Sequence, residues 1–335
     1  MNRVASLSAA AAAVLLVCTP ATAQFWTFES RSYFEPLKAG VREAQVSAVV
    51  GMGNRVAFTL EPDDPRLMWD IDVGAEMPLF GWESRASVDE RMPPGAIGIG
   101  LWFPIDFHLL EDFADDSAPI LNTDYRFGLS AKLQYGLESE SWLGIRAFVG
   151  HESTHLGDEF SIVGQRTYPD QFERINVSWE YLDLSAQLER FVDETLVKGR
   201  AGITTALPFG DSYYSTDAGS ITESPLGEVV PSSSSTDPYL GLELEREEVF
   251  GRWSVYLSNE VRWRSIYDYH RASPDAHEDR QLSYNGILGV RESGSASAIG
   301  RVSPFLRLYH GVNPHGQFRN QRDFTFYGFG LRLIR

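Results

Sequence analysis

Two residues of hydrolytic type stand two apart in this chain, His151 and Ser153, within the run His151-Glu152-Ser153-Thr154-His155-Leu156-Gly157-Asp158-Glu159. A serine hydroxyl becomes a nucleophile when a neighbouring base takes its proton, and histidine is the usual base. A third group then fixes the imidazole tautomer. The same run satisfies His-Glu-x-x-His, the zinc-protease signature, which works on a helix, where residues four apart stack. On a strand, positions 151 and 155 would lie about 13 Å apart, too far for one zinc. The choice between these chemistries therefore rests on the element that carries them.

That element reads as a strand. Leu143, Ile145, Ala147, Val149, His151 and Ser153 alternate, so they share one face, small or apolar at first and polar at the end. An apolar face that touches lipid would put His151 and Ser153 at the membrane boundary. Asn176 has the parity of Leu182, Leu184 and Ala186 on the next strand, and Leu143 paired with Leu184 would set Asn176 opposite His151. Opposed residues lie about 5 Å apart at Cβ. The expected site is thus Ser153 as nucleophile, His151 as base and Asn176 as orienter, with Arg174 and His155 placed to meet a lipid phosphate or headgroup.

The same alternation recurs along the chain. Trp253, Val255, Leu257, Val261 and Trp263 oppose Ser254, Ser258, Glu260, Arg262 and Arg264. Apolar-out, polar-in strands with aromatic ends mark a transmembrane barrel. Twelve strands are expected, over 43–51, 68–78, 96–109, 122–136, 141–154, 173–190, 195–207, 237–247, 251–264, 281–292, 301–311 and 323–334. Tight turns at 137–140, 191–194 and 248–250 alternate with long loops, and only the long connection 79–95 breaks the rule. The fold class is all-β, a single antiparallel up-and-down transmembrane barrel.

Composition agrees. Arg3, the apolar stretch Ala9 to Val17 and Ala21-Thr22-Ala23 form a signal peptide over residues 1–23. Residues 24–42 read as an N-terminal segment under or inside the barrel, and 43–335 as the barrel itself. Losing 23 of 335 residues, Arg3 and Cys18 among them, leaves 312 with no cysteine, and 28 basic against 46 acidic residues. Disulfides are excluded, and so acidic a surface does not seek nucleic acid. With 13% aromatic residues and no long apolar run, the profile is that of the bacterial outer membrane, with a soluble periplasmic barrel as the plain alternative. Barrel-assembly machinery usually reads a terminal aromatic; here the chain ends Leu333-Ile334-Arg335, which moves that signal to Phe329 or implies another insertion route.

Locally, the His151 to Arg190 stretch resembles the outer-membrane phospholipase A and lipid A deacylase barrels, which carry His-x-Ser on a lipid-facing strand. The resemblance implies ester hydrolysis of phospholipid or lipopolysaccharide and activation as a homodimer. It also implies a calcium ion held by Asp158 and Glu159. It departs from those enzymes at Thr154, where Asn commonly follows the serine, and at the later position of Asn176. More broadly, Asn122-Thr123-Asp124-Tyr125-Arg126, Arg174-Ile175-Asn176-Val177-Ser178 and Tyr309-His310-Gly311 through Pro314-His315-Gly316-Gln317-Phe318 resemble the family filed as domain of unknown function 1207. That implies an exported barrel with no assigned activity. The runner-up to a hydrolase is a non-catalytic structural barrel or a narrow channel, its lumen filled by the inward charges Arg126, Arg146, Arg262, Arg264, Arg332, Asp183, Glu243, Glu245 and Glu260.

Overall fold

The computed structural model describes residues 24–27, 34–54, 65–84, 93–113, 119–138, 140–157, 174–207, 212–216, 236–266, 279–292, 301–318 and 321–334. Its strands are β1 (Gln24–Thr27), β2 (Val46–Gly53), β3 (Arg66–Glu83), β4 (Ile97–Asp112), β5 (Ile120–Glu138), β6 (Ser141–Leu156) and β7 (Arg174–Val192). They continue with β8 (Thr195–Ala206), β9 (Ser212–Thr216), β10 (Thr236–Phe250), β11 (Trp253–Ile266), β12 (Asp279–Glu292), β13 (Arg301–Gly311) and β14 (Phe324–Ile334). Each barrel strand pairs antiparallel with its neighbours. β14 pairs with β2 and β3 with β4, so the sheet closes into a 12-strand barrel. β1 and β9 lie outside the ring, paired to the ends of β3 and β7.

Closure leaves the ring itself without an edge and gives each of its strands an inner and an outer face. Outward apolar side chains such as Leu240, Leu306 and Phe329 are 65%, 56% and 54% exposed. Inward neighbours such as Glu243, Lys198 and Ser258 are 0% exposed. An apolar outer belt around a polar interior is the architecture of outer-membrane barrels. Tight connections use left-handed residues: Asp193 has φ 54° between β7 and β8, and Gly251 has φ 63° between β10 and β11.

The connection that broke the loop rule has a structural reason. Residues 79–83 prolong β3 past an irregularity between Pro78 and Phe80, and β1 pairs along this extension.

Among the described residues the lumen is packed. Residues 34–45 enter it, with Phe34, Leu37 and Ala39 fully buried. Lys38 Nζ meets Glu243 Oε1 at 2.7 Å and Glu245 Oε2 at 3.0 Å, and the Ala39 carbonyl accepts from Asn285 Nδ2 at 2.7 Å. Arg146 grips Glu43 through two nitrogens at 2.6 and 3.0 Å, and Arg200 also contacts Glu43. Burial alone would raise the Glu43 carboxyl, but these two guanidiniums hold it well below the ordinary value. Among the described residues, the cavities beside Arg42 offer only about 10 and 20 Å3, room for a single water each.

Candidate functional site

The wall at the long-loop end of β5, β6 and β7 carries the expected chemistry, rearranged. His151, Ser153 and His155 all point outward from β6, while Glu152 and Thr154 between them are buried toward the lumen. The segment is strand throughout, so its two histidines lie on one outer face at strand spacing and no zinc-protease helix forms.

The register of β6 with β7 differs from the expected one by four residues. Leu143 pairs with Leu188, His151 with Glu180 and Ser153 with Ser178. Asn176 is therefore not the residue opposite His151; its backbone pairs with Tyr214 of β9. The reason is physical. Seventeen residues separate these strands, too many for a tight turn to set the register, and a slip of four residues keeps every side chain on its own face. Apolar parity alone therefore leaves the register open.

Glu180 takes the place expected for Asn176. His151 Nδ1 lies 3.1 Å from Glu180 Oε1, and Ser178 Oγ lies 3.5 Å from His151 Nε2. With the Nδ1 proton donated to Glu180, Nε2 is free to accept from the Ser178 hydroxyl. The three groups form a Ser–His–Glu relay across two strands. Ser153 does not join it: its Oγ shares a 3.1 Å hydrogen bond with His155 Nε2, and among the described residues no hydrogen bond links Ser153 to His151.

Aromatic rings of β5 form a shelf beside these groups. Phe127 faces the His151 ring at 5.1 Å, and Tyr125 meets His155 edge-on at 5.7 Å. His151 and Glu180 are each 27% exposed, open to the outer surface yet flanked by apolar side chains.

No family model and no curated protein matches this chain. Solved barrel structures resemble it at low identity. The translocator domain of the autotransporter NalP from Neisseria meningitidis is 9% identical, over 86% of this chain and 86% of that one, with TM-score 0.41. The beta domain of the Bordetella autotransporter Brka is 9% identical over 87% and 99%, with TM-score 0.36. OprD from Pseudomonas aeruginosa is 10% identical over 90% and 98%, with TM-score 0.33.

Of the other expected site residues, Arg174 opens β7, its backbone paired with Thr216. Asp158 and Glu159 lie outside the described residues. Ser178 and Glu180, which were not expected, share the parity of Leu182 and Leu184, and that outward parity was the available signal. The inward charges fall where alternation puts them. Arg146 and Arg200 converge on Asp183, and Tyr239 donates to Asp183 Oδ1 at 2.9 Å.

Proposed function

We propose that this protein is an outer-membrane acyl hydrolase that cleaves ester bonds of phospholipid or lipopolysaccharide from the lipid side of its wall. The observation that carries the reading is the outward relay Ser178–His151–Glu180 at the boundary of the apolar belt. The Ser178 oxygen attacks the acyl carbonyl carbon while His151 Nε2 takes its proton. Glu180 holds the imidazole and stabilises its cation. Collapse of the tetrahedral intermediate breaks the ester bond, and the departing alkoxide takes the proton from His151. Water, activated by the same imidazole, then releases the fatty acid from Ser178. Loose contacts of this kind tighten when substrate binds.

Fatty-acid release from mixed detergent–lipid micelles tests this. Ser178→Ala and His151→Ala should each lower the rate by up to about 10^6. Full activity in both variants would end the assignment. Loss only in Ser153→Ala would move the nucleophile to the Ser153–His155 pair.

A second reading, a non-catalytic structural barrel, is supported by the packed lumen. That packing also argues against an open channel.

A further inference from the structure

A second cluster lies inside the wall, behind the outward site. Asp70 of β3 and His108 of β4 project into the lumen near the long-loop end. His315, from the segment between β13 and β14, folds down onto them. Their exposures are 2%, 1% and 0%.

His108 Nε2 is 2.6 Å from Asp70 Oδ1. His315 Nε2 is 3.6 Å from Asp70 Oδ2, beyond hydrogen-bond length, and the two imidazoles lie 4.2 Å apart. Neither ring nitrogen of His315 has a hydrogen-bond partner among the described residues. A fully buried imidazole without partners is costly.

The backbone nevertheless holds it there. The His315 N–H donates to Asn313 Oδ1 at 3.0 Å, and the Gly316 N–H donates to both carboxylate oxygens of Asp124 at 3.1 Å. The surroundings are rich in negative charge. Asp70, Asp72, Asp106 and Asp124 stand against two guanidiniums, Arg126 and Arg307.

We propose that Asp70, His108 and His315 bind one divalent transition-metal ion of the zinc class. Their ligand atoms all lie within 4.8 Å of one another. Two imidazoles and one carboxylate suit zinc, whereas calcium takes oxygen ligands. Asp70 would give Oδ1 to the ion and keep Oδ2 on Arg307 Nη1, 2.9 Å away. His108 would turn its Nε2 from Asp70 to the ion. Its Nδ1 lies 4.0 Å from Asp124 Oδ2, too long for a hydrogen bond, so that carboxylate would have to close in to fix the tautomer of the ligating histidine. The ion supplies the partner that His315 lacks and pins the 312–318 segment across the barrel mouth. The cluster faces the lumen and not the lipid, and its three protein ligands leave a fourth position for water; the proposal does not depend on the hydrolase reading.

The test uses tag-free full-length protein in detergent, stripped with a chelator and then given zinc. One equivalent should remain bound through gel filtration and raise the Tm. His315→Gln should weaken zinc binding by at least about 100-fold. His310→Gln, altering an exposed histidine bonded to Thr325, should bind as the wild type does. If His315→Gln does not fold, Co2+ added to the stripped wild type decides, since bound cobalt at such a site gives intense visible bands. No uptake of zinc or cobalt by the wild type, or undiminished binding in His315→Gln, would leave only a stacked histidine pair and overturn the proposal.

Discussion

Replacing Glu43 by Gln should release the inner segment from the lumen. Glu43 is the shared anion of Arg146, at 2.6 and 3.0 Å, and of Arg200. Both guanidiniums also lie over the Phe34 ring, at 5.3 and 4.9 Å from its centroid. Without the carboxylate, two buried cations are left with Asp183, which Arg146 reaches at 3.0 Å and Arg200 only at 3.9 Å. Breaking a buried ion pair by removing one partner costs about 3–5 kcal/mol. We expect a loss of that size in urea unfolding at pH 7, with earlier proteolysis within residues 34–45.

The pH dependence follows from the same contact. The folded carboxyl sits well below its ordinary 4.5, so its stabilisation is complete above pH 4.5 and is lost as pH falls further. The slope approaches about 1.4 kcal/mol per pH unit for this one group. Glu43→Gln should remove that part of the acid slope. An unchanged urea midpoint, or an acid slope equal to that of the wild type, would refute the reasoning.

Other consequences are open to measurement. Leu184→Arg puts a cation on the apolar belt and should cost about 2–4 kcal/mol in bilayer-reconstituted unfolding; no cost would mean that this face does not meet lipid. At Gly316 a Cβ would stand 2.2 Å from Thr154 Cγ2, so Gly316→Ala should lower stability by about 1–3 kcal/mol, read as a drop in Tm. In planar bilayers the wild type should pass no steady current, since residues 34–45 fill its lumen; a stable conductance would contradict the packing described.

Much of this architecture was legible in the sequence because alternation is a local property. The outward parity of Leu143 to Ser153 and the inward charges Arg146, Arg262 and Glu260 follow from a period of two once one face is apolar. The pairing of β6 with β7 did not follow. Sequence parity fixes which face a residue occupies, not which residue it opposes, and these strands are too far apart in the chain for a tight turn to fix that choice. Ser178 and Glu180 therefore replace Asn176 beside His151. The inner cluster was hidden for a different reason. Asp70, His108 and His315 are far apart in the chain, and only barrel closure with the infolding of the 312–318 segment brings them together. In the sequence the residues around His315 carry a family resemblance, but nothing in them points to Asp70 or His108.

A lipid-like phosphonate that reacts with activated serines tests the central claim most directly. After incubation with the barrel in micelles, mass spectrometry should find one adduct on Ser178, absent when His151 is replaced by Ala. An unlabelled protein, or a label that persists without His151, would contradict the account.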